Sequence, residues 1–403
     1  ALQQDYPNRE EYSKAIPGLI LAYNLHGIDI DIRATQIAAL ALWLRAQRAY
    51  QEMGLKKNRP KITKSNIVCA EPMPGEKELL DEFTAELQPT VLGQLVKVVF
   101  EKMKLAGEAG SLLKIEEEIK DAIAEAKQQW KAKPKPKQLS LLAQYEEPEI
   151  EQLNIFDVVS VSDGEFWNQA ETLVVEALRE YASRAAGSQK LLRQLFAGDA
   201  VQGFAFIDIC RKKFDVVLMN PPYGKPSGNI LSYIKKNYQE CWIDILGSFF
   251  LRTLCLTGKN SLIGALTSRT FLALSRLQNL REEIAFKVSS ISLIADLGFG
   301  VLDGAIVETC ATILTRTDLD NLHLFAIDVK NVEEDNKSTI LLQNNLYPNN
   351  IERIFSISKK LLSKLPSKQI AYWVLTKTIQ LFEKYLSLEP TYAEVAPGLT
   401  TLD

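Results

Sequence analysis

The stretch FDVVLMNPPYG, Phe214 to Gly224, decides the fold. Phe214, Val216, Val217, Leu218 and Met219 make a short apolar run, and Asn220, Pro221 and Pro222 stop it at once. The pattern predicts a buried strand that ends in a stiff turn, because proline fixes φ at about −65° and brings no N–H to a ladder. Upstream, LAYNLHGIDID (21–31) reads as a strand, RATQIAALALWLRAQRAY (33–50) as a long helix and NIVCAEP (66–72) as a second strand. Strand, helix and strand with carboxylates at the strand ends are the marks of a parallel α/β sheet, whose ligands gather at the carboxyl ends of its strands.

Downstream, a helix around WIDILGSFFLRTLCL (242–256) and the strand SLIGALTS (261–268) continue the α/β pattern. The strand ISLIADLG (291–298) follows, and then IVETCATILTR (306–316) and LHLFAIDV (322–329), expected to pair as an antiparallel hairpin at the sheet edge. Between the two α/β stretches, LKIEEEIKDAIAEAKQQW (113–130) and EFWNQAETLVVEALREYASRAA (165–186) carry apolar residues at helical spacing. The Pro-broken run KAKPKPK, Lys131 to Lys137, reads as an exposed linker, with a phosphate-contacting arm as the alternative. The expected organisation is therefore a first part of the core over 1–72, a helical insertion over 73–195, a second part of the core over 196–330, and a polar linker over 331–403.

The chain has 403 residues, 46% apolar and 24% charged, so it is globular and neither disordered nor fibrous. Lys and Arg total 47 against 50 for Asp and Glu, a formal charge of −3, so no global positive field gathers polyanions and a nucleic-acid partner must be held by local patches. The short basic runs Lys56-Lys57, Arg211-Lys212-Lys213 and Lys235-Lys236 read first as solvated surface. With two histidines, His26 and His323, and five cysteines without a CxxC pair, neither a metal site nor a disulfide framework is expected. The cysteines lie mostly in apolar runs, which favours reduced thiols and a cytoplasmic protein. No apolar run reaches the roughly 18–20 residues of a membrane span.

Asn220-Pro221-Pro222-Tyr223 carries the chemistry. The exocyclic amine of adenine is a poor nucleophile because its lone pair is delocalised into the ring. Two acceptors placed on that NH2 group, the Asn220 side-chain oxygen and the Pro221 carbonyl, favour a pyramidal nitrogen whose lone pair is free to attack a methyl group. Consecutive prolines preorganise the carbonyl direction. Tyr223 offers a face on which a base stacks, which offsets part of the cost of taking that base out of a duplex.

On these residues, together with HGIDIDIRATQIAALALWLRA, CAEPMPG, GALTSRTFL and ADLGFGVLDGAIVETCA, the chain resembles the S-adenosylmethionine-dependent adenine-N6 DNA methyltransferases of the gamma arrangement. Within them it is most similar to the methyltransferase subunit of BREX phage-defence systems. The resemblance implies a Rossmann-like α/β methyltransferase core with a large helical insertion, S-adenosylmethionine as cofactor, double-stranded DNA as substrate, and other phage-defence proteins as partners. It implies catalytic roles for Asn220, Pro221, Pro222 and Tyr223. It places Asp29 on the cofactor ribose and Glu71 on the cofactor adenine, with Asp199 in FAGDA as the alternative to Glu71. Phe249 matches an aromatic beside that adenine, and an ordinary core role is its alternative. Asp31 reads as a helix cap.

Gly298, Gly300 and Gly304 in ADLGFGVLDG imitate a cofactor loop, but β-rich sequence follows instead of a helix, so they are assigned to the late core strands. The family's own Gly-rich segment, expected shortly before GIDID, has no counterpart here, and APGLTTLD ends where a target-recognition domain would begin. The sequence therefore reads as an internal portion of a larger methyltransferase, inactive by itself. Two other functions share its features: methylation of a protein glutamine amide, and a catalytically incomplete scaffold that binds DNA or defence partners.

Overall fold

The computed structural model describes residues 8–62, 65–132, 162–184, 189–226, 228–239, 241–302, 307–316, 323–346 and 353–386. The chain divides into two compact units, Ala1–Lys212 and Lys213–Asp403. Within KAKPKPK, Lys133 to Lys137 lie outside the described residues, as does Gly304.

In the first unit, helix α1 (Arg9–Leu19) starts where the Asn8 side chain accepts the Glu10 N–H at 2.9 Å. It passes into a π-helical turn, Ile20–Asn24, so the first strand is much shorter than LAYNLHGIDID suggested: β1 is His26–Asp29. The reason lies in the partner. Strand β2 (Asn66–Cys69) pairs in parallel only from His26↔Asn66 to Asp29↔Cys69, and the Asn66 amide donates to the Ala22 carbonyl (2.8 Å), holding the preceding turn as a turn. Between the strands runs α2 (Ile32–Glu52), capped by Asp31, whose carboxylate accepts the Arg33 N–H at 2.9 Å as the sequence indicated.

The same unit holds α3 (Lys77–Glu86), α4 (Thr90–Lys102), α5 (Lys120–Ala132), α6 (Asp163–Arg184) and α7 (Lys190–Arg211). Their apolar faces meet in an aromatic core in which Phe83, Tyr181 and Phe196 touch edge to face, with Phe83 and Tyr181 centroids 5.6 Å apart.

The second unit is built on a six-stranded mixed sheet in the order β3-β4-β6-β5-β7-β8. Its strands are β3 (Phe214–Met219), β4 (Thr257–Ser268), β5 (Ser290–Gly298), β6 (Thr309–Thr315), β7 (His323–Asp328) and β8 (Ile354–Ser358). Two expectations are corrected here. First, β6 and β7 are not a hairpin: β6 lies between β4 and β5, antiparallel to both, and β7 pairs in parallel with the far side of β5. A strand alternating small and apolar residues fills a central position better than an edge, and every described residue of β6 finds ladder partners on both sides. Second, β3 is not buried. Among the described residues it pairs only with β4, and Val216 is 56% and Leu218 80% exposed.

One sheet face is covered by α9 (Ile245–Leu256), which follows the shorter α8 (Ile230–Asn237), by the irregular helical segment 269–287, and by the residues around Tyr372 and Ile379. The core there includes Phe250, Ile263, Phe271, Ile294 and Leu314. The opposite face carries a smaller cluster, Ala295, Leu297, Ile327 and Val329, under α10 (Glu334–Leu346). Helix α11 (Thr376–Lys384) is the last described element. Since β3, β4, β5 and β7 run in one direction, their carboxyl ends lie along one edge, together with the start of β6. Among the described residues no helix is long and apolar enough to cross a membrane.

Candidate active site

Three of the sequence-predicted residues come together in the first unit. Asp29 ends β1, and its carboxylate accepts the Asp31 N–H at 2.9 Å, an Asx turn that leaves the other oxygen exposed. Glu71 lies two residues beyond β2, where the ladder extends by one bond from Ala70 N–H to Asp29 O (2.7 Å). The Cys69 thiol lies 3.6 Å from Glu71 Oε1. Burial, then the Glu71 carboxylate, with smaller contributions from Asp29 and Asp31, pushes that thiol up to about 11. Glu71 thus lies against a buried sulfur at the carboxyl ends of β1 and β2, with Asp29 in the same neighbourhood.

Asp199 belongs to the same neighbourhood, although it sits on helix α7 and not in a loop. Helix α7 packs closely on the segment after β2: a β-carbon at Gly203 would fall 2.4 Å from Met73 Sδ. Partial desolvation, then the carboxylates of Glu71 and Glu76, raise the Asp199 carboxyl above its usual range.

The second unit places the turn residues at the carboxyl end of β3. Asn220 is exposed, Pro221 buried, Pro222 exposed and Tyr223 half-buried. The Tyr223 hydroxyl is buried without a hydrogen-bond partner, and burial, with a smaller effect from Cys310, raises its pKa. After the turn, Gly224 takes φ +107° and its carbonyl accepts the Ile245 N–H at 3.0 Å at the start of α9, where Asp244 caps the helix through Leu246 N–H (3.1 Å). Phe249, half-buried, lies one turn into α9. Its carbonyl accepts from the Thr253 hydroxyl (2.8 Å), which also lies 3.2 Å from Met219 Sδ, so α9 is tied to the residue just before Asn220.

Sequence reasoning missed a charged cluster at this edge. Asp296 on β5, fully buried, accepts Arg269 Nε (3.0 Å), Arg269 Nη2 (2.9 Å) and the Tyr372 hydroxyl (2.7 Å). Arg269 also reaches Glu308 at 3.3 Å. The available signal was a lone aspartate inside the apolar strand ISLIADLG, a position that demands a cationic partner. The imitation cofactor loop is a strand-end turn: Gly298 at φ +66° lies so close to the Lys330 carbonyl that a β-carbon would be 2.7 Å from it, and strand β6 follows. Lys337, on α10, donates to the carbonyls of Leu297 and Phe299 and holds that turn. Among the described residues no group of His, Cys, Asp and Glu is arranged to hold a metal ion.

An α/β sheet with polar groups at its strand ends and an Asn-Pro-Pro-Tyr turn on one of them defines a methylase core. The chain belongs to the Eco57I restriction-modification methylase family, whose model matches residues 23–300. It is 22% identical over 410 residues to the adenine-specific methyltransferase BrxX of Escherichia coli O9:H4 (strain HS), covering 99% of this chain and 30% of that protein. It is 21% identical over 193 residues to the adenine-specific methyltransferase PglX of Lacticaseibacillus casei (strain Zhang), covering 47% of this chain and 16% of that protein. The chain thus spans less than a third of the length of these curated relatives. Among solved structures, the type I restriction-modification methyltransferase subunit of Streptococcus thermophilus aligns over 92% of this chain and 94% of its own at 11% identity and a TM-score of 0.32. The Type ISP enzyme LlaGI, in complex with a DNA substrate mimic, aligns over 51% of this chain and 23% of its own at 14% identity and a TM-score of 0.33. At such scores these likenesses carry no argument of their own.

Proposed function

We propose that the chain is the catalytic core of a methyltransferase that methylates adenine N6 in double-stranded DNA, within a phage-defence or restriction-modification system. The observation that carries this reading is the Asn220–Tyr223 turn, held at the carboxyl end of β3 by the Gly224–Ile245 hydrogen bond and backed by α9. Family membership and the names of the relatives BrxX and PglX support it.

The Asn220 side-chain oxygen and the Pro221 carbonyl accept hydrogen bonds from the two N6–H groups and turn the nitrogen lone pair outward, and one of these protons leaves to solvent once the methyl group has been transferred. Tyr223, with its hydroxyl end buried, presents a ring face to the extruded base. S-adenosylmethionine, when bound, supplies the electrophilic methyl group. The first unit fits that cofactor: Asp29 has an exposed oxygen for vicinal ribose hydroxyls, and Glu71 lies beside it as an acceptor for the adenine amine. Asp199, near Glu71 on α7, is the alternative for that acceptor role.

The test is Asn220→Ala in the full-length protein. DNA from cells carrying the wild type should contain N6-methyladenine and DNA from the variant none, with unchanged circular dichroism. Modification that persists in the variant overturns the mechanism. Methylated protein in place of methylated DNA points to glutamine amides, and full biological activity of the variant points to a scaffold.

A further inference from the structure

The Arg269–Asp296–Tyr372 cluster is unused by the chemistry above. A buried carboxylate loses its hydration, and a well-packed apolar residue at the same place is often no less stabilising. Here the carboxylate is kept and satisfied by three donors, two of them the fork of one guanidinium. Its location bears on the site. Arg269 follows β4, the strand beside β3, while Asp296 lies near the end of β5 and Glu308 precedes β6. The Arg269 N–H also donates to the Glu308 carbonyl at 3.0 Å. One arginine therefore ties three strands together along the edge where Asn220 emerges.

Register carries the cluster toward Tyr223. Thr267 pairs with Cys310, Cys310 with Asp296, and Asp296 with Asp328, so these four side chains share one face in a lateral row. The Thr267 hydroxyl lies 3.7 Å from the Cys310 sulfur. The row runs from β7 through β5 and β6 to β4, the strand that pairs with β3, at whose carboxyl end the Tyr223 turn begins. Because the Tyr223 hydroxyl makes no hydrogen bond, no polar contact of its own fixes the ring, and the packing at its buried end must do so.

We propose that Arg269, held in place by Asp296 and Tyr372, is a positioning residue for the transfer reaction, locking the ends of β4, β5 and β6 into the floor that sets the Tyr223 ring. This rests on the methyltransferase reading. The cluster acts through Tyr223 and touches neither base nor cofactor.

The experiment uses the full-length protein, with its modification site mapped by sequencing and 2-aminopurine placed at the target adenine. Arg269→Gln and Asp296→Asn should each lower kcat at least tenfold and reduce the fluorescence of the extruded base, with KM for S-adenosylmethionine within twofold. Ile357→Ala, a core truncation on β8 at the other edge of the sheet, serves as the stability control: it should lower Tm while leaving the fluorescence signal intact. Tyr372→Phe, which removes one hydrogen bond and keeps the ring, should lower kcat several-fold and decides the matter if the charged variants fail to fold. The proposal falls if the folded variants keep kcat and base extrusion within twofold of wild type, or if Ile357→Ala loses extrusion equally. Absence of methylation by the wild type overturns the underlying reading instead.

Discussion

The backbone N–H of Ile245 donates to the carbonyl of Gly224 at 3.0 Å, closing the chain between the Asn-Pro-Pro-Tyr turn and α9 into a loop with both ends fixed. Gly247, the third residue of that helix, allows the closure: a β-carbon there would come within 2.6 Å of the Cys241 carbonyl, which is backbone and has little room to retreat. Gly247→Ala should therefore destabilise the second unit by about 1–3 kcal/mol through overpacking. It should also lower methylation more than the stability loss explains, because the displaced segment ends beside Gly224. Chemical denaturation and a methylation assay on the same preparation check both outcomes.

Tyr223 separates the ring from its hydroxyl. The buried oxygen makes no hydrogen bond, and an unsatisfied buried hydroxyl costs about 1–3 kcal/mol. Tyr223→Phe should accordingly be as stable as the wild type or about 1 kcal/mol more stable, with methylation retained. Tyr223→Ala removes the stacking face, worth about 1–3 kcal/mol per base, and should weaken extrusion of the target base by tenfold or more. A Phe variant as inactive as the Ala variant would show that the hydroxyl takes part in the reaction.

Glu171 on α6 makes the stability of the first unit depend on pH. Burial, then the nearby Asp208 carboxylate, pushes its carboxyl up to about 7, while the Trp167 indole N–H donates to it at 3.1 Å. A carboxyl whose folded pKa lies above its unfolded value favours the folded state most below the unfolded pKa, and that advantage is lost as pH rises toward 7. Glu171→Gln keeps an acceptor for Trp167 and removes the charge. It should flatten the fall in stability between about pH 4.5 and 7 and raise stability at pH 8 by, at most, on the order of 3 kcal/mol. Denaturant titrations at pH 5 and pH 8 measure the difference.

Arg281 is fully buried and, among the described residues, pairs with no carboxylate. Its guanidinium donates to the carbonyls of Phe271 (2.8 Å), Leu274 (2.8 Å), Ser367 (2.6 Å) and Lys368 (3.0 Å), joining the segment after β4 to the segment before Tyr372. Burial lowers its pKa to about 10, so it remains charged at neutral pH. Arg281→Met fills much of the space but strands four carbonyls, and should cost about 3 kcal/mol or more. A melting temperature unchanged from wild type would contradict this account.

Much of the site was legible because its determinants are local. Two prolines after an apolar run stiffen the turn wherever the strand lies, and Asp31, one residue before a helical period, caps that helix through its own backbone neighbours. The pairing of strands was less legible. IVETCATILTR and LHLFAIDV read as a hairpin and are not one, since alternation marks a strand without naming its neighbour. The same limit hid the exposure of β3, whose apolar residues predict burial whether or not a second strand lies against them.

From the sequence by itself came the α/β class, the Asn-Pro-Pro-Tyr turn at a strand end, the Asp31 cap, and the carboxylates Asp29 and Glu71 at the ends of two strands. Tertiary structure alone decided that β6 enters between β4 and β5, that Asp199 stands on a helix beside Glu71, and that Asp296 is met by Arg269 and Tyr372, 27 and 76 residues away. The physical reason is range. Dihedral limits, caps and turns act between neighbours in the chain, whereas a buried charge is satisfied by whichever donor the packing brings to it.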